Sequence, residues 1–531
     1  MSDAVTNRYS RQEGLIHQDR VENLRVGIHG SNPLLEEELS TISLHLGVKE
    51  FPVENDIDVM IVIDSTSDIC HSNPLFVQMR KTGFALSTEL LKSNSASPCD
   101  LLAPGLSTLA AAMTWQEILR REGCLRVLPI VKKYATVQFR IDSRFSQLSD
   151  EDISGLQAHW ADGERLALFH SPCEDGTGHI RLSARLDVDS PAVRQLLDAV
   201  ELGLSEFDEV TQPFSFEFSI PRIERLPQGN LVVAGVGGLG TWSMHTLIRG
   251  IKAAEGSGKG LDITVFDPDD SVEVHNLNRQ VLYDETHLNR SKAVCAGEIL
   301  SKELPKSQIS YGMQSLGLPE LDVILNEGED TAPVNDSAVD LLEEFGLSDG
   351  STLPPDEVKG VLQDSNLILC GVDNLHARGV LSAIASHLNV PFINAGAENF
   401  SGQFDLFNEP GCMACRYGPA SVRDRRIASC QEDGEIPVAS IVTTTAIFGA
   451  LQGLATLTAL SEPAALSEWP KQLTWGGQSN RLRSTSPPNF MSGDDHVQHI
   501  LDSMHSMASG PAVKVDIEAD SRTDDVIEQA E

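Results

Sequence analysis

The chain has 531 residues, which is too long for one hydrophobic core and predicts two to four domains. Hydrophobic residues make up 41% and charged residues 22%, as in ordinary globular proteins, and the formal net charge is -37. This acidic surplus argues against nucleic acid as a partner, because no excess of cations is present to neutralise phosphates. The polar N-terminus and the nine unevenly spaced cysteines indicate the reducing cytoplasm, without a signal peptide or a disulfide framework.

The N-terminal part of the chain contains "RYSRQ" at residues 8–12 and then a strand-like segment, "NLRVGIHGS". That segment aligns with "NLVVAGVGG" later in the chain, and "VMIVIDSTSD" and residues 103–121 have later counterparts in the same order. The repeated order predicts a duplicated domain. The first copy has "HGSNPL" in place of a glycine-rich loop, so we expect residues 1–123 to form a degenerate lobe that has lost its nucleotide.

The segment at residues 124–221 contains the strand-like pieces "YATVQFRID", "HIRLSARLDV" and "FSFEFSIP" with a helix among them. This pattern predicts a small α+β insert, and its residues indicate no particular chemistry. At the other end of the chain, residues 484–531 are rich in Ser, Pro, Asp and Glu. Such a composition predicts an acidic, disordered tail.

A strand, a glycine-rich turn and a helix are predicted in succession at residues 229–251. The turn contains Gly235, Gly237, Gly238 and Gly240, and the next strand ends at Asp267. A later strand, "NLILCGVDN", is again followed by a helix, as in a doubly wound parallel sheet over residues 222–483. The expected fold class is therefore α/β, with two doubly wound Rossmann-like lobes and the insert between them.

Polar and basic side chains follow the strands of this second lobe. Asp267 is placed to accept hydrogen bonds from ribose hydroxyls, and Asp269 lies where the sheet edge opens onto a ligand. The remaining candidates are Asn278, Arg279 and Gln280 in "HNLNRQ", Lys292 at a helix start, and Asp373 and Asn374 after the later strand. Cations for phosphate oxygens and a carboxylate for Mg²⁺ favour a nucleoside triphosphate over a nicotinamide dinucleotide.

The apolar run at residues 436–460 is long enough to cross a bilayer. It contains Pro437, several threonines and Gln452, and it lacks an aromatic belt and a basic flank. We therefore expect a helix that is buried on all sides, or packed at a domain interface through small residues, and no membrane partner.

The motifs "GVGGLG", "DPD…HNLNRQVLY", "SKA" and "GVDNLHAR", spread over residues 229–460, together resemble the adenylation domain of the ubiquitin-activating-enzyme superfamily, of the ThiF, MoeB and HesA type. The resemblance implies that ATP activates the C-terminal carboxylate of a ubiquitin-like or sulfur-carrier protein as an acyl adenylate. By position, it implies that Asp267 binds the ribose, that Arg279 and Lys292 bind phosphates, and that Asp373 binds Mg²⁺.

The same resemblance gives a role to Arg11 in "RYSRQ". In members with a fused inactive copy, this arginine reaches into the partner domain's site, so the chain resembles a pseudo-dimer, with association into homo-oligomers left open. A mobile arginine stabilises negative charge as pyrophosphate leaves. The alternative from the residues alone is a helix-start cap with a solvated arginine.

Cys430 is the candidate nucleophile, because thiamin-type relatives carry a reactive cysteine just before the corresponding helix. Arg423, Arg425 and Arg426 precede it, and positive charge lowers a thiol pKa, whereas nearby acidic residues oppose this effect. A thiolate there could attack the adenylate and pass the acyl group to a conjugating enzyme or a sulfur donor. The alternative is an incidental loop cysteine.

The pair Cys412 and Cys415 in "CMAC" resembles the first half of the family's four-cysteine zinc site. No cysteine follows Cys430, and two soft ligands do not make a structural zinc site. We therefore expect no zinc, and a reduced pair that holds a loop by packing alone.

Two other functions remain open at this point. The chain could adenylate a peptide or small-molecule carboxylate in natural-product synthesis, in which case Cys430 is dispensable. It could also be a nucleotide-binding scaffold without adenylation, against which the cluster of Arg279, Lys292 and Asp373 argues.

Overall fold

The computed structural model describes residues 8–12, 14–65, 71, 73–91, 100–126, 214–316, 353, 355–409, 411–417, 439–477, 479–485 and 495–505, together with the backbone of strands at 134–141, 167–172 and 178–187. The strands in these residues form three sheets. In chain order they are β1 (Val26–His29), β2 (Val59–Ile63), β3 (Pro74–Arg80), β4 (Gly83–Ser87), β5 (Tyr134–Ile141), β6 (Ala167–Pro172), β7 (Gly178–Asp187), β8 (Ser215–Ser219), β9 (Gly229–Ala234), β10 (Leu261–Phe266), β11 (Gln308–Gly312), β12 (Leu367–Cys370), β13 (Phe392–Glu398), β14 (Ser401–Phe407), β15 (Gln472–Gly476) and β16 (Arg481–Ser484).

The α-helices of the described residues cover the faces of the two larger sheets and the contact between them. In chain order they are α1 (Gln18–Glu22), α2 (Pro33–Leu46), α3 (Ala103–Arg121), α4 (Gly238–Ala253), α5 (Lys292–Glu303), α6 (Pro355–Gln363), α7 (Leu375–Leu388), α8 (Met413–Tyr417), α9 (Val442–Ser461) and α10 (His496–His505). Residues 103–121, which have a later counterpart in the sequence, form helix α3 along their whole length.

The larger sheet has eight strands in the order β11-β10-β9-β12-β13-β14-β15-β16. The first five strands are parallel, and the last three are added in antiparallel pairs. The chain leaves the central strand β9 first to one side, through β10, and later returns to the other side, through β12. A doubly wound sheet binds ligands at such a reversal, beside the carboxyl ends of its strands. The predicted α/β fold is confirmed.

The smaller sheet, β1-β2-β3-β4-β8, reproduces part of the larger one. Strands β1, β2 and β3 are parallel and β4 and β8 are antiparallel, which is the order and direction of β9, β12, β13, β14 and β15. Residues 30–58, all of which are described, contain helix α2 and no strand, so this sheet has no counterpart of β10 and β11. The topology supports a duplicated domain whose first copy lacks two strands.

The boundary of the predicted insert is wrong at its C-terminal side. We expected "FSFEFSIP" to belong to the insert of residues 124–221, but β8 pairs with β4 in the first sheet, from Ser215 opposite Ser87 to Ser219 opposite Gly83. Alternation of phenylalanine with polar residues is compatible with either sheet, and only the long-range pairing decides between them. Strands β5, β6 and β7 form the separate three-stranded sheet in the order β5-β7-β6.

The predicted disordered tail also begins too early. Helix α10 lies within residues 484–531, and its Val497 and Ile500 are buried against the second lobe beside Leu381 of α7. The acidic composition of residues 484–531 predicts disorder, and the short apolar pair Val497 and Ile500 is too weak a pattern to predict a helix. The described part of the second lobe therefore extends to residue 505, and residues 506–531 lie outside the described residues.

Helix α9 lies at the contact between the two lobes. It is the one described helix long and apolar enough to cross a bilayer, and each of its twenty residues is buried inside the protein. It packs on α4 of its own lobe and on α3 of the first lobe, and α3 also packs on α4. One side-chain amide makes two hydrogen bonds across the lobes: Gln116 donates to the carbonyl of Gly477 at 3.0 Å and accepts from the Thr443 hydroxyl at 2.8 Å. The prediction of a fully buried interface helix is confirmed.

Glycines allow the backbones of these three helices to approach closely. A Cβ added at Gly449 of α9 would overlap the Cβ of Trp242, and one at Gly453 would lie 2.5 Å from the Cβ of Thr246. On α3, a Cβ at Gly105 would lie 2.6 Å from a methyl carbon of Thr246. Of these glycines, Gly105 lies at the crossing between the lobes, and the close packing there leaves no space for a larger side chain.

We expect Gly449→Ala to destabilise the protein by about 1–3 kcal/mol, because the new methyl group must push α4 and α9 apart. The matched control is Gly360→Ala in α6, where an added Cβ meets nothing within 4 Å and should stabilise the helix by about 0.5–1 kcal/mol. Denaturant unfolding of both variants measures the difference. Equal stability of the two variants would contradict close packing at this contact.

Candidate functional site

The glycine-rich turn after β9 is built by glycines with different physical roles. Gly235 has a φ of 87°, and an added Cβ would lie 2.9 Å from the carbonyl carbon of Gly371 at the end of β12. A Cβ at Gly240 would overlap the carbonyl oxygen of Gly235, so α4 packs directly on the turn. At Gly237, by contrast, the nearest atom to an added Cβ is the amide nitrogen of Gln280 at 3.9 Å. Gly237 therefore leaves space beside the N-terminus of α4, where anions bind.

Asp267, at the carboxyl end of β10, is tied to this turn. One carboxylate oxygen accepts from the backbone N–H of Val236 at 2.7 Å, and the other accepts from the N–H of Asp269 at 2.9 Å. Burial raises the pKa of Asp267, and the neighbouring Lys292 partly opposes this effect. The carboxylate thus fixes the glycine turn and the start of the following loop, which is a structural role in addition to the predicted contact with ribose.

The loop that follows begins with a short 3-10 turn, Val274–Asn276. Its Arg279 is buried and donates to the carbonyl of His275 at 2.7 Å and to the side-chain oxygen of Asn278 at 3.0 Å. The Arg279 carbonyl accepts from the indole N–H of Trp242 on α4 at 2.9 Å. Helix α4 therefore holds this loop, which we call the 274–280 loop, beside the glycine turn that begins the helix.

Lys292 lies at the first position of α5 and forms an ion pair with Asp269. The hydroxyl of Tyr283 is within hydrogen-bond distance of two carbonyl oxygens, those of Val236 at 3.0 Å and Lys292 at 3.1 Å. Tyr283 is fully buried, and burial raises the pKa of its phenol. This side chain joins the glycine turn to the lysine-bearing helix, so that both stay at one end of the sheet.

The first lobe reaches this site through residues 8–12. The Arg11 side chain is 5% exposed, and its Nη2 donates to Nε2 of His275 at 3.3 Å. The other ring nitrogen of His275, Nδ1, is 3.0 Å from the carboxylate of Glu273, so the ring is a neutral tautomer that donates on one side and accepts on the other. Burial and the nearby cations Arg279 and Arg11 lower the pKa of His275 to about 4, which keeps it neutral near pH 7.

Two further first-lobe side chains hold the same loop. The carbonyl of Leu277 accepts from Nδ1 of His45 at 2.8 Å and from Nη2 of Arg8 at 3.2 Å. Burial lowers the pKa of His45 to about 4, so this ring is also a neutral donor. The backbone of the segment is fixed as well, because the carbonyl of Arg11 accepts from the N–H of Ser440 at 2.8 Å. The structure therefore brings Arg11, Arg279, Lys292 and Asp269 into one buried cluster.

Several buried polar atoms at this cluster have no hydrogen-bond partner among the described residues. They are the side-chain nitrogen of Asn278, the side-chain carbonyl oxygen of Gln280 and the hydroxyl oxygen of Ser291. Buried polar groups are normally paired, so these atoms indicate a polar ligand. A triphosphate nucleotide fits this set, because the donors of Asn278 and Ser291 accompany two basic groups next to the space at Gly237.

Two candidate residues, Asp373 and Asn374, follow β12. The side chain of Asn374 accepts from the backbone N–H of Ala377 at 2.6 Å and caps helix α7, so its amide oxygen has a structural use. Asp373 is exposed at the same carboxyl edge of the sheet, after β12 and beside β9, which ends at Ala234. An exposed carboxylate at this edge remains compatible with the predicted Mg²⁺ ligand. Cys430 and the arginines before it lie outside the described residues.

The corresponding turn of the first lobe is closed by its own side chains. The carboxylate of Glu36 accepts from the Ser31 hydroxyl and the Asn32 N–H, both at 2.8 Å, and Asn32 caps α2 through the N–H of Leu35 at 3.2 Å. An internal carboxylate thus occupies the anion-binding end of this helix. This geometry supports the expectation that the first lobe has lost its nucleotide.

The expectation that four ligands cannot be assembled around "CMAC" is wrong. Cys412 and Cys415 lie beside His496 and His499 of α10, and the four ligand atoms are within 4.8 Å of one another. The sequence contains no second pair of cysteines after Cys430. A histidine pair with the same spacing, "HVQH", was the available signal, but it lay in a segment interpreted as a disordered tail.

Comparisons with known proteins identify the second lobe. The ThiF family model matches residues 213–489. The chain is 26% identical over 232 residues to the adenylyltransferase and sulfurtransferase UBA4 of Kluyveromyces lactis, covering 43% of this chain and 42% of that protein. It is 23% identical over 265 residues to the sulfur carrier protein ThiS adenylyltransferase of Escherichia coli, covering 49% and 83%.

Among solved structures, a crystal structure of E. coli MccB with MccA-N7isoASN is similar at 16% identity and a TM-score of 0.34, covering 51% of this chain and 68% of that one. The chain spans about two fifths of the length of its UBA4 relative. The family match covers more than half of the 531 residues and contains the glycine turn, the 274–280 loop and Lys292. This chain belongs to the ThiF family.

Proposed function

We propose that the protein adenylates the C-terminal carboxylate of a ubiquitin-like or sulfur-carrier protein, with ATP as the nucleotide and Mg²⁺ as its counter-ion. The observation that carries this proposal is the position of Arg11, which comes from the first lobe and is buried at 3.3 Å from His275 in the loop of Arg279. A dinucleotide-binding lobe has no use for a second lobe's arginine at this place. A site that releases pyrophosphate does use such an arginine, because its charge stabilises the negative charge of the leaving group.

In the proposed reaction, a carboxylate oxygen of the substrate protein attacks the α-phosphorus of ATP. A P–O bond forms at that phosphorus, the bond to the bridging oxygen of the β-phosphate breaks, and pyrophosphate leaves with the bond electrons. The carboxylate is already deprotonated at neutral pH, so no general base is needed. Positioning and charge neutralisation by Arg11, Arg279 and Lys292 supply the rate.

The remaining residues bind and orient the nucleotide. The N–H groups of the glycine turn and the side chains of Asn278, Gln280 and Ser291 are the proposed contacts, with Asp267 at the ribose and Asp373 at Mg²⁺. Mg²⁺, when bound, neutralises phosphate charge. We propose residues 1–123 together with β8 as the inactive copy, which serves to present Arg11 and to hold the 274–280 loop through Arg8 and His45. The cytoplasm is the proposed location.

We expect Gly237→Ala to fold normally but to bind ATP at least about tenfold more weakly, a loss of about 1.4 kcal/mol. Its methyl group would enter the space beside the turn, where only Gln280 lies near. The matched variant Gly240→Ala should instead lose stability, because its methyl group would overlap the carbonyl oxygen of Gly235. Calorimetric titration with ATP and urea unfolding separate the two effects. Unchanged ATP affinity in Gly237→Ala would remove the nucleotide from this space.

We expect Arg11→Ala to lower ATP–pyrophosphate exchange roughly 10²-fold or more, with candidate ubiquitin-like proteins as the carboxylate substrate, because one transition-state donor is lost. The effect should fall on kcat more than on the KM for ATP. Arg222→Ala is the control, since this arginine has 62% of its side chain exposed and pairs with Glu224. Exchange at the wild-type rate in Arg11→Ala would overturn the role of the first lobe.

Cys430 distinguishes the two adenylation hypotheses. We expect Cys430→Ala to retain ATP–pyrophosphate exchange and to lose any thiol-sensitive adduct with the substrate protein, because the thiolate acts only after the adenylate has formed. Cys295→Ser is the control, since that thiol is buried and burial raises its pKa. Full conversion of the natural substrate by Cys430→Ala would favour a peptide or small-molecule carboxylate instead, and an adduct that survives the change would place the nucleophile elsewhere.

A further inference from the structure

His275 lies where two buried arginines from different lobes meet. Its ring nitrogen Nε2 accepts from Nη2 of Arg11, which comes from the first lobe, at 3.3 Å. Its backbone carbonyl accepts from Nη1 of Arg279, in the second lobe, at 2.7 Å. One residue therefore contacts the guanidinium groups of both arginines, and it does so through two different atoms.

The short turn that carries His275 is closed at both ends. The N–H of Glu273 donates to the side-chain oxygen of Asn276 at 3.0 Å, and the N–H of Asn276 donates to the carbonyl of Glu273 at 2.9 Å. The carboxylate of Glu273 also lies 3.0 Å from Nδ1 of His275. Because the backbone of the turn and one ring nitrogen are both held, the other ring nitrogen, Nε2, has a fixed direction toward Arg11.

The charges around His275 give its neutral ring a use. Arg11, Arg279 and Lys292 each act to lower the pKa of His275, and Asp269 acts to raise it. Cations that lie close together in a buried cluster repel one another. A neutral ring nitrogen gives the Arg11 guanidinium an acceptor without adding a charge, whereas a protonated ring would repel it.

From this geometry, we infer that His275 is a positioning residue for adenylation: Nε2 holds the Arg11 guanidinium at the phosphates of ATP, and the carbonyl holds Arg279 beside it. The inference rests on the function proposed above. In this role His275 does not contact the substrate and acts only through the two arginines. Glu273 serves the same end, because its carboxylate selects the ring tautomer whose Nε2 is an acceptor.

A double-mutant cycle on ATP–pyrophosphate exchange, with the same ubiquitin-like proteins as carboxylate substrate, tests whether His275 acts through Arg11. We expect His275→Ala to lower kcat about 10–10²-fold and to change the KM for ATP less than about threefold, as for the loss of a hydrogen bond to a charged group. In the Arg11→Ala background, the same change should cost no more than about a further twofold. His387→Ala, which removes an exposed histidine of α7, is the control and should exchange at the wild-type rate. A double variant whose loss equals the product of the two single losses would overturn the inference.

Two amide variants keep the inference testable if His275→Ala does not fold. Glutamine carries its side-chain oxygen as many bonds from Cα as Nε2 of histidine, whereas asparagine carries its oxygen only as far as Nδ1. We expect His275→Gln to exchange within about threefold of wild type, and His275→Asn to be at least about tenfold slower than wild type at equal stability to urea. Equal exchange by the two folded variants would overturn the role of Nε2.

The binding of inorganic pyrophosphate with Mg²⁺ separates this inference from the proposed function. Wild-type protein that shows exchange with no carboxylate substrate would overturn adenylation. The cycle of Arg11→Ala and His275→Ala, measured by calorimetric titration with pyrophosphate, then tests the position of Arg11 by itself. Losses of affinity that do not add would support the positioning by His275. Losses that add, or wild-type protein that binds no pyrophosphate, would overturn it.

Discussion

The burial of helix α9 on every side is the constraint on which the architecture depends. A helix without a polar face can be buried on all sides only if other elements cover its whole circumference, and here α4 covers one side and α3 of the first lobe another. Glycines at the crossings bring the backbones of these three helices close together. Residues 8–12 lie against the 274–280 loop. Their backbone is held at Arg11, whose carbonyl accepts a hydrogen bond from the N–H of Ser440, just before α9 begins.

The first lobe reproduces part of the second lobe's sheet and supplies one of the helices at this contact. It retains five strands in the order and direction of β9, β12, β13, β14 and β15, and it retains helix α3 at the interface. It has no counterpart of β10 and β11, and in the other lobe β10 leads into Asp267 and the 274–280 loop. The carboxylate of Glu36 fills the anion-binding end of α2. The first lobe thus holds the 274–280 loop of the second lobe through Arg8 and His45.

The site itself concentrates positive charge in a buried place. Arg279 and Lys292 are each 7% exposed and Arg11 is 5% exposed, and buried cations are costly unless they are paired. The protein offsets this cost with the Asp269 carboxylate, with backbone carbonyls and with a neutral His275, whose protonation would add a further like charge. A polyanionic ligand would be attracted to such a cluster, and the unpaired side-chain atoms of Asn278 and Gln280 lie in the same loop.

Local chemistry was sufficient to predict the strand–turn–helix around Gly235, the limits of α3 and the buried character of α9, because glycine conformation and hydrophobic patterning act over a few residues. The positional likeness to a known family also gave the residues of the candidate site, but local reasoning missed the supporting roles of Tyr283, His275 and Trp242. Contacts between segments far apart in the sequence were not predictable in this way. They are the pairing of β8 with the first sheet, the contact of Arg11 with His275, and the approach of His496 and His499 to the cysteine pair. Each joins segments more than 75 residues apart, and whether such segments meet depends on the packing of everything between them rather than on the residues that finally touch.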